Sequence, residues 1–159
     1  ALETTQHILA GSDQQWIPVH KSWRLNERHY GGLQGLNKDD ARKKWGEDQV
    51  HQWRRSYDVR PPRESEEQRE AYLKNRRYQH IDHRMMPYCE SLKDTLERVV
   101  PFWTDHISQH LLDDKTVLVS AHGNSIRALI KYLEGLSEED IVGYEIKTGA
   151  PLVLSLIHI

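Results

Sequence analysis

The run Thr116-Val117-Leu118-Val119-Ser120-Ala121 constrains this chain more than any other segment. It is continuously apolar and rich in β-branched residues, which suits a central strand covered on both faces. A turn, His122-Gly123-Asn124, follows at once. A helix is then predicted over Ser125–Leu133, with Gly135 just beyond it. Elsewhere helix and strand signals also alternate, which predicts an α/β layered domain.

Ala1–Ala10 reads as the end of a helix closed by Gly11, and Trp16-Ile17-Pro18-Val19 as a short strand or extended piece. Asn37 is placed to cap a helix over Lys38–Trp45 that Gly46 ends, and Asp48 to cap a second over Gln49–Tyr57. Leu92, Leu96, Val99, Trp103, Ile107 and Leu111 recur at spacings of three and four, so they share one helical face. Pro101 falls within that run and predicts a kink or a break just before it. Ser137-Glu138-Glu139-Asp140 resembles a capping box, and Leu152-Val153-Leu154 a further strand. Between Asp58 and Pro87 the chain is polar, with Pro61-Pro62 and little periodicity, which predicts a mobile flap.

Bulk properties mainly exclude. At 159 residues the chain fits one domain, and a net charge of −2 gives no cause to expect nucleic acid or membrane as a partner. No apolar run approaches the roughly 20 residues that span a bilayer. One cysteine, Cys89, cannot form an internal disulfide; it reads as an inert thiol in a reducing compartment.

Three segments carry chemistry. Residues just past a parallel strand line the crevice where open α/β sheets bind ligands. The following helix offers free N–H groups and a positive dipole end, which favour an anion such as phosphate. His122 is there as a donor, a nucleophile or a structural histidine, and Gly123 lets the backbone approach closely. Asn26-Glu27-Arg28-His29-Tyr30-Gly31 packs an acid, a fixed cation, an imidazole and a phenol together. Glu27 there is either a general acid/base or one side of a surface salt bridge. In Gln52-Trp53-Arg54-Arg55, adjacent guanidinium groups either fit a doubly charged anion or form a solvated helix face. His80-Ile81-Asp82-His83 has a ligand-like look but no second pair at metal spacing.

Taken together, Asn26 to Lys38, Gln52-Trp53-Arg54-Arg55, and Ala121-His122-Gly123-Asn124-Ser125-Ile126-Arg127-Ala128-Leu129 closely resemble cofactor-dependent phosphoglycerate mutases, in order and spacing as well as in kind. The resemblance runs from about Ala1 to Val153. It implies a three-layer sandwich, a mostly parallel sheet flanked by helices, with the first strand missing. It also implies interconversion of 3-phosphoglycerate and 2-phosphoglycerate through a phosphohistidine, primed by 2,3-bisphosphoglycerate and without a metal. The family's nucleophile lies in an Arg-His-Gly triplet near the N-terminus, and no such triplet occurs here. The nucleophile is therefore expected in an N-terminal part outside these residues, and the chain alone is expected to be inactive.

By the same resemblance Glu27 is the proton donor and acceptor, and His122 the second histidine of the phosphate pocket, stabilising transferring charge. Arg28, His29, Tyr30, Lys38, Arg54, Arg55, Gly123 and Asn124 match substrate-binding positions. A bisphosphoglycerate mutase or phosphatase, or an inactive anion-binding fragment, are the alternatives. The resemblance further implies a cytoplasmic enzyme of small phosphoglycerates, a homodimer or homotetramer when full length. Residues 1–153 are read as a partial domain and 154–159 as an artefactual tail. Cys89 stands where the family has threonine, so a helix cap is expected to be lost.

Overall fold

The computed structural model of the protein describes residues 1–155. Helices dominate it: α1 Leu2–Gly11, α2 Lys38–Trp45, α3 Glu47–Arg55, α4 Glu66–Leu73, α5 Leu92–Phe102, α6 Ser108–Leu112, α7 Gly123–Glu134 and α8 Glu138–Gly143. Short 3₁₀ turns lie at Trp23–Leu25, Gly31–Leu33, Arg76–Tyr78 and His83–Met85.

Most boundaries follow from local chemistry. Asn37 accepts a hydrogen bond from the Asp40 N–H at 2.8 Å and opens α2, which Gly46 ends at φ 83°. α3 starts earlier than expected: Gly46, not Asp48, is its N-cap, and it ends at Arg55. Gly11 stays inside α1, and the left-handed residue beyond the helix is Asp13, at φ 55°. Pro101 does not stop α5. The helix passes through it and then widens into a π-turn over Trp103–Ile107, relaxing the clash that a proline ring imposes on the preceding turn. Nor is the cap of α5 lost at Cys89, because Ser91 and Asp94 form a reciprocal capping box.

The expected flap is tied down. A second capping box, Ser65 with Gln68, starts α4 within it, and Arg69 of that helix is buried. Its guanidinium donates to Glu64 at 3.2 Å and to the carbonyls of His83, Met86 and Pro87 at 2.8–3.0 Å. The flap also presses on the Glu27 motif. Gly32 N–H donates to the Pro62 carbonyl at 2.8 Å. Gly31 (φ 57°) comes so close that a Cβ there would sit 2.2 Å from the Pro62 oxygen. Asp82, part of the ligand-like histidine segment, is instead held by Arg84.

The main core joins α5, the π-turn and α7 through Val99, Trp103, Ile107 and Leu129. Leu92, Ala128 and Ile141 continue it toward α8, while Leu33, Ala41 and Val50 close α2 and α3 around Tyr30.

The expected sheet is not formed among the described residues, which contain no strand. Among the described residues Thr116–Ala121, Trp16–Val19 and Leu152–Leu154 form no strand pairs. An extended segment becomes a strand only when a neighbour takes its N–H and C=O groups. Among the described residues, 116–121 has no backbone–backbone hydrogen bond; the Ser120 hydroxyl donates to the Ala1 carbonyl at 3.1 Å. The alternation proper to a strand survives: Val117 and Val119 pack on the main core while Leu118 is 58% exposed. The tail expected at 154–159 lies, from residue 156 on, outside the described residues. Among the described residues no helix is long and apolar enough to cross a membrane.

Candidate active site

Packing of α7 on α5 brings the first turn of α7 against the Asn26–Tyr30 segment. The Ser125 hydroxyl donates to the Asn26 carbonyl, fastening the two backbones. Asn124 Nδ2 donates to Glu27 Oε1 at 2.7 Å and to the Tyr30 hydroxyl at 3.0 Å. The orientation of that amide is fixed from behind. Arg127, one turn along α7, donates to Asn124 Oδ1 at 3.2 Å, so the NH₂ group must face Glu27. Burial, with Arg28 and Arg55 nearby, pushes the Arg127 guanidinium down from its usual range.

Glu27 Oε1 also accepts the Arg28 N–H at 2.7 Å. Two donors therefore hold one carboxylate oxygen, and no protein hydrogen bond engages Oε2 among the described residues. A carboxylate held by one oxygen and open at the other can exchange a proton with a substrate hydroxyl.

Cations gather around this acid. Arg28 is only 2% exposed; its guanidinium lies 4.7 Å from the Tyr30 ring centre and donates to the Arg54 carbonyl at 3.2 Å. Its Nε has no hydrogen-bond partner among the described residues. The Arg54 guanidinium lies 5.3 Å from the same ring. Glu27, Arg28, Tyr30 and His122 all line one cavity of about 1360 Å³. His122 is the exposed N-cap of α7, and no side chain caps that helix, so its first-turn N–H groups are available to an anion.

Other expected residues lie further off. Arg55 turns outward to Glu145 at 3.7 Å, and Lys38 is exposed at the first position of α2. His29 is engaged inside the protein. Its Nδ1 accepts the Gly31 N–H at 3.1 Å and its Nε2 faces Glu64 at 3.3 Å. Burial lowers its pKa more than Glu64 and Glu90 raise it, so the ring is the neutral Nε2–H form.

Comparison with known proteins identifies the family. The family model described as histidine phosphatase superfamily (branch 1) matches residues 1–74 and 63–158. The chain belongs to this superfamily. Among curated members, a Staphylococcus epidermidis protein named 2,3-bisphosphoglycerate-dependent phosphoglycerate mutase is 97% identical over 98% of the chain. The chain spans 68% of that relative. Proteins of the same name from Staphylococcus haemolyticus and Staphylococcus aureus are 80% identical over the same shares.

Three residues around the candidate site receive no role from the sequence: Glu90 and Arg98, and Arg127, although the last lies within the Ala121–Leu129 motif. Arg98 falls beside Leu92, Thr95 and Val99 on the buried face of α5. A charge at an inward helical position is the available signal, since arginine is rarely buried without a partner. Among the described residues no cluster of three His, Cys, Asp or Glu could hold a metal ion.

Proposed function

We propose that this chain forms the acid/base and phosphate-orienting part of a 2,3-bisphosphoglycerate-dependent phosphoglycerate mutase, which interconverts 3-phosphoglycerate and 2-phosphoglycerate. The observation that carries the reading is the 2.7 Å hydrogen bond from Asn124, in the first turn of α7, to Glu27. It joins an acid/base to a helix N-terminus suited to phosphate, across 97 residues of sequence. The names and near-identity of the curated relatives support the substrate class.

In this reading the substrate phosphate meets the α7 N-terminus, with His122 and the N–H groups of Gly123 and Asn124 as donors. Arg28 and Arg54, held on Tyr30, neutralise carboxylate or phosphate charge; Lys38 and Arg55 act from the rim, and His29 supports the motif. Glu27 Oε2 takes the proton of the hydroxyl that receives the phosphoryl group. In the return half it gives a proton to the oxygen whose bond to phosphorus breaks. Phosphoryl transfer depends chiefly on such positioning and charge neutralisation. The clustered arginines fit a bisphosphorylated three-carbon acid, and the priming phosphoryl group comes from 2,3-bisphosphoglycerate.

No Arg-His-Gly triplet occurs in the 159 residues. The phosphoryl-carrying histidine is therefore assigned to residues outside them, and the chain alone to an inactive state. The alternation of Val117 and Val119 inward with Leu118 outward supports a place for 116–121 in a parallel sheet of the full-length enzyme. We assign that enzyme to a homodimer or homotetramer in the cytoplasm.

The test is turnover by the full-length enzyme. Conversion of 3-phosphoglycerate, with catalytic 2,3-bisphosphoglycerate present, should outpace bisphosphate hydrolysis. Hydrolysis faster than mutase turnover would instead make the enzyme a bisphosphoglycerate phosphatase. Acid-labile phosphohistidine formed on the 159-residue chain alone would contradict the assignment of the carrier.

A further inference from the structure

We propose that the buried ion pair Glu90–Arg98 is a positioning device for Glu27, an inference that rests on the acid/base role just given. The two side chains are 3% and 8% exposed and meet in a fork. Arg98 Nε donates to Glu90 Oε1 at 2.5 Å and Nη2 to Glu90 Oε2 at 2.9 Å. What distinguishes the pair from an ordinary core salt bridge is where its remaining hydrogen bonds go. Arg98 Nη2 also donates to the carbonyls of Asn26, at 3.0 Å, and Glu27, at 3.2 Å, while Nη1 donates to that of Arg24. Glu90 closes the other side. Its Oε2 accepts the His29 N–H at 2.7 Å, and its own N–H donates to the His29 carbonyl at 2.7 Å.

The backbone on both sides of Glu27 is thus gripped by two residues that lie 61 or more positions away. Between residues 24 and 29 only one regular turn exists, Trp23–Leu25, so secondary structure cannot hold Glu27 in place. A planar, five-donor guanidinium can serve the carboxylate and three carbonyls at once; an ammonium cannot. Glu90 and Arg98 hydrogen-bond to Glu27 and His29 through backbone groups only, leaving the Glu27 carboxylate to the substrate. Their effect reaches the reaction through the direction of the Glu27 carboxylate, and about 1 Å of misplacement at such a group can cost on the order of a hundredfold in rate.

The experiment is a double-mutant cycle of Arg98→Lys with Glu27→Gln in the full-length enzyme, reading kcat and KM for 3-phosphoglycerate. Wild-type turnover is measured first, and its absence would sink the functional reading itself. With turnover present, Arg98→Lys should lower kcat about 10-fold to 100-fold while KM moves less than about twofold. In the Glu27→Gln background the same change should lower kcat by less than about twofold, because there is no longer an acid/base to aim. An equal loss in both backgrounds overturns the proposal, as does a rise in KM with kcat unchanged. Should Arg98→Lys not fold, Glu90→Gln keeps the side-chain shape and enters the same cycle with the same expected split.

Discussion

The two walls of the candidate site are built differently. On one side, Asn26–Gly31 is held by buried polar side chains: Glu90 and Arg98 from behind, Glu64 through His29, and the flap through Arg69 and Pro62. On the other, 116–121 leads to His122 with its backbone unpaired among the described residues and Leu118 turned to solvent. The first wall is specified by contacts that this stretch of chain makes with itself. The second keeps the residue alternation of a strand without the ladder that would fix it. Acid/base geometry and phosphate geometry therefore depend on different interactions.

That contrast can be attacked from the strong side first. Arg69→Met should cost about 3–5 kcal/mol in denaturant unfolding of the full-length enzyme, because it leaves Glu64 buried without its charge partner. A loss under about 1 kcal/mol would mean that the flap is not anchored through this pair.

A smaller effect should appear with pH. His29 is held neutral with a pKa below its usual 6.5, chiefly by burial. Unfolding lets it bind a proton, so its contribution is complete above the unfolded pKa. It is lost as pH falls from about 6.5 toward the lower folded value. His29→Gln should flatten the stability slope in that window, and an unchanged slope would show that other groups produce it.

The smallest effect belongs to the open wall. Leu118→Ser should change stability of the 159-residue chain by no more than about 0.5 kcal/mol. The same substitution should cost several times more in the full-length enzyme if 116–121 is there a covered central strand. Equal, small costs in both would argue against a sheet at this position.

Much of this was legible in the sequence. Asn37 before Lys38 marks a helix start, and the spacing of Leu92, Leu96 and Val99 marks a buried face, because caps and periodicity are local properties. Glu27 and His122 stand out because chemistry-bearing residue types crowd around them. What escaped was non-local. The Glu90–Arg98 grip joins positions far apart in sequence and leaves only an arginine on an apolar face as its trace. The flap reads as polar and irregular, and most of its charges are indeed exposed; the two that anchor it, Glu64 and Arg69, turn inward onto each other and, for Arg69, onto backbone carbonyls. The segment 116–121 reads as β-type sequence, yet it forms no strand among the described residues, because composition cannot say whether a neighbour is there to pair with it.

The central claim is that Glu27 moves the proton of the glycerate hydroxyl. Its most direct test compares two phosphoryl donors on the full-length enzyme and on Glu27→Gln. Phosphoglycerate has an alkoxide leaving group that needs a proton, whereas p-nitrophenyl phosphate releases a stable phenolate that needs none. Glu27→Gln should lower turnover of phosphoglycerate by about 10²–10⁴ while changing the rate with p-nitrophenyl phosphate less than about tenfold. Equal losses with both donors would contradict the claim.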